Sequence, residues 1–132
     1  MPGLKLLVLS YEYPPIGGGG GVMLKNLLQR LNPNQFSITL VTTWFDNLSE
    51  HEFDNGIEIY RVKSRRKIEW QSNPIEMLSW INFAKRKTEE IINKQKFNLV
   101  MSNFVVPGGV VGYFLNKKYN LPYICISHGH DI

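Results

Sequence analysis

Apolar and polar positions follow two different periods along the chain. Nearly continuous apolar runs at residues 4–10 and 36–43 are typical of central strands that are buried on both faces. Between them, one helix face is formed by four leucines at i, i+3, i+4 and i+7: Leu24, Leu27, Leu28 and Leu31. This helical pattern starts at Val22, and Pro33 ends it because proline lacks a backbone N–H. This part of the chain therefore predicts a strand–helix–strand unit.

The pattern changes after the second strand. The polar segment 44–56 predicts a loop that contains an Asp-Asn-Gly turn sequence. Alternation at residues 57–62 predicts a third strand near a sheet edge. Two further short apolar segments, at residues 98–102 and 122–127, predict a fourth and a fifth strand.

Two more predicted helices connect these strands. Asn73, Pro74 and Glu76 provide a capping asparagine, a proline in the first turn and a glutamate that completes a capping box. Apolar residues at helical spacing continue this helix to about Lys96, and a shorter helix is predicted at residues 108–119. Strands that alternate with helices predict an α/β fold. We expect a Rossmann-like three-layer sandwich whose mainly parallel, five-stranded sheet has the order 3-2-1-4-5.

Composition and charge narrow the classes of partner. The net charge of +4 favours anionic ligands or membrane surfaces but is too small to indicate nucleic acid. The apolar runs fall far short of the ~20 residues that cross a membrane, and the N-terminus resembles no signal peptide, so we expect a cytoplasmic protein. Cys125 lies inside an apolar run, which predicts a buried small hydrophobe rather than a reactive thiol.

Basic and aromatic residues leave the membrane surface open as an alternative. A basic run comprises Arg61, Lys63, Arg65, Arg66 and Lys67. Such a run, with Trp70 nearby, is more often a solvated loop than a site for anionic lipid or a phosphorylated acceptor. Trp80 and Phe83 flank the apolar stripe of the long helix, where core or rim packing is favoured over membrane insertion. Peripheral association with the inner face of the membrane is therefore the less favoured alternative.

Three loops are expected to meet at the carboxyl end of the parallel strands, where open α/β sheets bind ligands. They span residues 11–21, 103–109 and 128–131, and the first contains five consecutive glycines before a helix. Backbone N–H groups at a helix N-terminus bind phosphate, and glycine permits close approach. Val22 and Met23 follow the glycines, so the run fits neither the P-loop nor the dinucleotide fingerprint. A flexible surface loop is the alternative to a phosphate site.

The sequence His128-Gly129-His130-Asp131 has the residue types of a metal site. Its spacing departs from that of metallo-hydrolases, and the other histidine and acidic residues show no ligand spacing. We therefore expect no metal ion and no cofactor. The alternative to a ligand-binding role for residues 128–131 is that they are merely polar residues at the end of a strand.

Three segments together resemble the family 4 (group 1) glycosyltransferases. They are residues 6–15, which read LLVLSYEYPP and precede the glycines; residues 97–102, which read FNLVMS; and residues 122–131, where a strand precedes His-Gly-His-Asp. The resemblance covers the whole chain and implies a metal-independent, retaining enzyme of the GT-B fold, with two Rossmann-like domains around a cleft. In this family the N-terminal domain binds mainly the acceptor, and the C-terminal domain binds the nucleotide-sugar donor.

The resemblance also implies roles for individual residues. The donor diphosphate is expected to face the first four glycines of the run: Gly17, Gly18, Gly19 and Gly20. His128 matches the family histidine near the transferred sugar and is the candidate catalytic residue. Asn103 and Asp131 are the candidate substrate-binding residues, although many family members carry a histidine-containing loop where this chain has Ser-Asn-Phe.

We interpret residues 1–132 as an incomplete N-terminal domain of such an enzyme, inactive by itself because the donor domain is missing. Its expected partners are a nucleotide-sugar donor, an acceptor that is a glycan, a lipid or a small molecule, and the missing C-terminal domain. A non-catalytic binding module that docks through its open sheet edge is the main alternative. A nicotinamide-dependent oxidoreductase is disfavoured by the failed dinucleotide fingerprint.

Overall fold

A six-stranded sheet forms the centre of the computed structural model, which describes residues 3–64 and 73–128. The strands are β1 (Leu4–Ser10), β2 (Phe36–Thr43), β3 (His51–Asp54), β4 (Ile57–Val62), β5 (Leu99–Asn103) and β6 (Tyr123–Ile126). Their order is β3-β4-β2-β1-β5-β6. The pair β3–β4 is antiparallel and the other four pairs are parallel. The five parallel strands therefore have the predicted order 3-2-1-4-5.

Strand β3 corrects both the prediction of five strands and that of a loop over residues 44–56. It has no buried apolar face, since its residues are half-buried or exposed and Phe53 is 69% exposed. Pairing with β4 across a two-residue turn defines it instead. Asn55 and Gly56 in that turn both have positive φ, as a tight hairpin requires. The Asn-Gly pair was thus the signal in the sequence for this hairpin.

Among the described residues, three α-helices cover the sheet, namely α1 (Gly19–Gln29), α2 (Pro74–Lys94) and α3 (Val110–Tyr119), and a short π-helical turn, Val105–Gly109, precedes α3. The predicted capping box of α2 is confirmed, because Glu76 N–H donates to Asn73 Oδ1 (2.9 Å) and Asn73 N–H donates to the Glu76 carboxylate (3.1 Å). α1 starts at Gly19 rather than at the predicted Val22. The last three glycines of the run therefore form the first turn of a helix.

The helices lie in two layers, one on each face of the sheet. Leu7 and Leu9 of β1 pack in a cluster with α2 and α3, whereas Leu6 and Val8 pack in a second cluster with α1. All four side chains are at most 2% exposed. Burial on both faces explains why β1 is an unbroken apolar run, and it confirms the three-layer sandwich.

The aromatic residues of α2 divide between core and surface. Trp80 is fully buried and meets the Tyr11 ring edge-on at 5.5 Å, which confirms core packing, whereas Phe83 is 42% exposed. The predicted basic loop lies largely outside the described residues, which do not include Arg65, Arg66, Lys67 and Trp70. Within residues 3–64 and 73–128, no helix is long and apolar enough to span a bilayer.

The prediction that Cys125 is buried is wrong. Cys125 is exposed on β6, the outermost strand of the described sheet on that side. Its neighbour Ile124 is 47% exposed as well. An apolar run therefore does not imply burial here, because β6 has a neighbouring strand on one side alone within the described sheet.

Candidate functional site

The loop after β1 turns sharply before it enters α1. Tyr13 and Ile16 form an isolated antiparallel bridge, and Gly17 follows with φ of +89°. A Cβ on Gly17 would lie 2.5 Å from Cγ of Glu12, so both the backbone conformation and the close contact require glycine here. Gly18 N–H donates to a carboxylate oxygen of Glu12 (3.2 Å). Glu12 therefore holds the turn together from its inner side.

The first turn of α1 presents two different environments. A Cβ on Gly18 or Gly19 would meet no atom within 4 Å, whereas a Cβ on Gly20 would lie 2.3 Å from Cζ of Phe104. N–H groups in the first turn of a helix have no carbonyl partner within that helix and carry partial positive charge. Of the four predicted diphosphate-facing glycines, Gly18 and Gly19 thus border open space. The other two pack against protein atoms.

Asn103, the last residue of β5, joins the three predicted loops. Its side chain is fully buried. Nδ2 donates to the hydroxyl of Ser10 and to the carbonyl oxygen of Gly20, both at 3.2 Å, and Oδ1 lies 2.8 Å from Nε2 of His128. One amide therefore connects the end of β1, the first turn of α1 and His128, which lies two residues after β6. Direct contact of Asn103 with substrate stays a prediction.

Phe104 holds His128 from a second side. It has φ of +73°, which is unusual for a residue with a side chain. Its ring reaches Gly20, and its centroid lies 4.3 Å from that of His128. Sequence reasoning missed Phe104 and Ser10. Both stand at the carboxyl end of a strand, which is a weak positional signal, and the positive φ of a phenylalanine leaves no mark in the sequence.

One partly buried ion pair and one buried hydroxyl lie near this end of the sheet. Arg61 is 6% exposed and forms an ion pair with Glu52 at 2.8 Å. Burial and the charge of Asp54 raise the pKa of Tyr13 to about 12, although Arg61 acts in the opposite direction. The buried Tyr13 hydroxyl, which has no partner among residues 3–64 and 73–128, therefore stays protonated.

The structure brings Asn103 and His128 together with residues 17–20, which we call the glycine turn, as the predicted convergence of loops requires. Asp131 and His130 lie outside the described residues, so the proposed contact of Asp131 with substrate stays a prediction. In the part of the chain that the structure describes, no group of three or more His, Cys, Asp and Glu side chains could hold a metal ion.

Sequence comparisons find relatives over nearly the whole chain. The profile of Glycosyltransferase Family 4 matches residues 17–132. Two uncharacterized glycosyltransferases of Methanocaldococcus jannaschii are similar, one at 30% identity over 97% of this chain and one at 28% identity over 98%. The chain spans about one third of the length of each relative, 33% and 32% respectively.

The fold is similar to that of sucrose-phosphate synthase from Thermosynechococcus elongatus, with a TM-score of 0.76. The alignment covers 96% of this chain and 33% of that protein, at 14% identity. At this identity the likeness shows the fold alone, a Rossmann-like part of a GT-B structure. The profile match covers most of the chain, including the glycine turn, Asn103 and His128, and this chain therefore belongs to Glycosyltransferase Family 4.

Proposed function

We propose that the chain is the N-terminal, acceptor-side part of a retaining, metal-independent glycosyltransferase that moves a sugar from a nucleotide-sugar donor to an acceptor. One observation carries the proposal: the first turn of α1 and the imidazole of His128 are joined through Asn103 at one edge of the sheet. Backbone N–H groups suited to an anion thus stand beside a side chain suited to proton transfer.

The chemistry of sugar transfer fits this pairing. Cleavage of the bond between sugar and diphosphate develops negative charge on the leaving phosphate. N–H groups fixed at the start of α1, at Gly18 and Gly19, can stabilise that charge without a metal ion. His128, neutral or charged, can hold a sugar hydroxyl or polarise the developing charge. We assign the diphosphate to the glycine turn and the transferred sugar to His128.

We further propose that the isolated chain does not transfer sugar, because the donor-binding domain of the family lies outside it. The relatives are about three times as long, which supports a missing domain. Incubation of the purified chain with nucleotide sugars and candidate acceptors is expected to show no turnover. Robust transfer by this chain alone would overturn that part of the proposal.

The diphosphate site can be tested without the missing domain. Titration of the 15N-labelled chain with inorganic pyrophosphate, in buffer without divalent cations, is expected to shift the amide resonances of Gly18 and Gly19. Gly56 is the internal control, since it lies in the β3–β4 turn beyond the amino end of β4. Shifts that spare Gly18 and Gly19, or that are as large at Gly56, would contradict the assignment.

A second candidate function is a non-catalytic binding module that docks through β6. The observation in its favour is that β6 ends the described sheet on one side and exposes Ile124 and Cys125. Unpaired strand edges accept a strand from another chain. The family resemblance implies a C-terminal donor domain that carries a Glu-x7-Glu motif. Such a domain encoded in the adjacent reading frame would support the enzyme. Its absence there would support the module.

A further inference from the structure

We infer that Asn103 positions His128 and holds its imidazole in the tautomer protonated on Nε2. This role deepens the proposed function and rests on it for its catalytic meaning. The hydrogen bonds alone determine the tautomer. The assignment of the tautomer and the proposed sugar transfer can therefore be disproved separately.

The orientation of the Asn103 amide follows from its partners. The carbonyl oxygen of Gly20 can only accept a hydrogen bond, so the amide atom 3.2 Å away must be the donor Nδ2. Oδ1 is then the atom that lies 2.8 Å from Nε2 of His128. Because Oδ1 can also only accept, Nε2 must carry a hydrogen. In the neutral imidazole, Nδ1 is therefore the acceptor nitrogen.

An amide suits this position better than a carboxylate. A carboxylate beside the imidazole would favour its charged form and raise its pKa. The amide oxygen of Asn103 orients the ring through Nε2 and carries no net charge. Asn103 thus fixes the geometry of His128 and adds no charge of its own beside it.

Independent contacts fix the amide and the ring. The Asn103 side chain is fully buried, and Ser10 provides a second acceptor for Nδ2. The Phe104 ring packs against the imidazole at an interplanar angle of 38°, and its backbone has positive φ, a kind of outlier that clusters at functional sites. The bond from Asn103 to Gly20 sets the distance between the imidazole and the start of α1.

Long-range 1H–15N NMR of the labelled full chain reads the tautomer directly. In the wild-type chain at alkaline pH, His128 is expected to show Nε2 as the protonated nitrogen and Nδ1 as the unprotonated one. His51 and His130 serve as internal references. A spectrum of His128 with Nδ1 protonated, or with the two nitrogens averaged, would overturn the inference without any mutation.

Two substitutions separate positioning from general structural support. Asn103→Leu keeps the approximate size but cannot accept, so the His128 nitrogens are expected to average. Asn116→Leu is the matched control, because Asn116 Nδ2 also donates to a backbone carbonyl, that of Leu121 at 2.9 Å. It should leave the His128 tautomer unchanged. An unchanged tautomer in folded Asn103→Leu would contradict the role of Asn103.

A second variant covers the case in which Asn103→Leu does not fold. Asn103→Asp keeps an acceptor oxygen at the same position, so Nε2 of His128 should stay protonated. Averaged His128 nitrogens in folded Asn103→Asp would contradict the contact. Because no measurement in this set uses sugar transfer, an inactive enzyme would leave the inference intact, and a wrong tautomer would leave the proposed function intact.

Discussion

At the scale of single residues, the five consecutive glycines divide by what surrounds them. Gly17 needs its positive φ and leaves no room for a Cβ beside Glu12, and Gly20 leaves none beside Phe104. Gly18 and Gly19 have open space around the same position. Packing therefore requires glycine at positions 17 and 20, whereas positions 18 and 19 have the open space that a ligand would need.

This division predicts opposite results for neighbouring alanine substitutions. Gly20→Ala is expected to lower the free energy of unfolding by about 1–3 kcal/mol, because its Cβ would overlap the Phe104 ring. Gly19→Ala is the matched control. Its Cβ meets open space at the first residue of α1, where alanine is tolerated at least as well as glycine, so stability should be unchanged or higher. Urea-induced unfolding measures both, and equal losses would disprove the packing argument.

At the scale of secondary-structure elements, a hydrogen-bonded carboxylate ties β3 to β4. Nε2 of His51 lies 2.9 Å from the Glu58 carboxylate, and the Tyr60 hydroxyl donates to the same oxygen at 3.1 Å. Burial acts to raise the pKa of Glu58, but hydrogen bonds from His51, Tyr60 and Gln95 outweigh it and lower that pKa. The edge strand is thus held by a side-chain network as well as by its backbone.

The lowered pKa predicts a pH-dependent contribution to stability. Because the pKa of Glu58 is lower in the folded chain, its contribution is present above the unfolded pKa and disappears as the pH falls through the folded value. Glu58→Gln is expected to lower the free energy of unfolding at neutral pH by up to about 1 kcal/mol. The difference from wild type should shrink as the pH falls below the unfolded pKa of about 4.3, and should vanish below the lower pKa of the folded chain.

Denaturant unfolding over a series of pH values measures this difference. Glu50→Gln is the control, since Glu50 forms an exposed ion pair with Lys63 at 3.4 Å and should contribute less. If the loss of unfolding free energy caused by Glu58→Gln grew as the pH fell, the proposed stabilisation by the charged Glu58 carboxylate would be wrong.

At the scale of the whole molecule, the parallel core could be predicted because burial on both faces leaves unbroken apolar runs. The edge strand β3 lacks such a run, so its residues resemble a loop. The start of α1 was placed too late because glycine disfavours helix, whereas here Leu24 and Leu28 pack the helix against the sheet.

The candidate site, too, could be predicted only in part from the sequence. Sheet topology alone predicts that the glycine turn, Asn103 and His128 meet, since all three follow the carboxyl ends of neighbouring strands. The bond from Asn103 to Gly20 and the left-handed Phe104 depend on backbone angles and distances that no residue pattern encodes.

The exposed edge strand β6 predicts how the folded chain reacts with a thiol reagent. Cys125, the one cysteine of the chain, is exposed on β6 and should react with a chromogenic disulfide reagent without denaturant. The rate should not depend on protein concentration if the chain is monomeric. A rate that falls as concentration rises would indicate strand pairing between two copies, and reaction only after unfolding would contradict the exposure of Cys125.

If the glycine turn binds the diphosphate as proposed, Glu12 turns that binding into an exchange of one hydrogen-bond acceptor for another. Its carboxylate already accepts the hydrogen bond of Gly18 N–H, so an arriving anion displaces a charge that the chain itself supplies. A monovalent ion that replaces one carboxylate with one similar charge gains little. A diphosphate carries more charge and can reach both Gly18 and Gly19, so it gains more than it displaces. We therefore expect the proposed diphosphate site to discriminate by valence, before any side chain recognises the sugar.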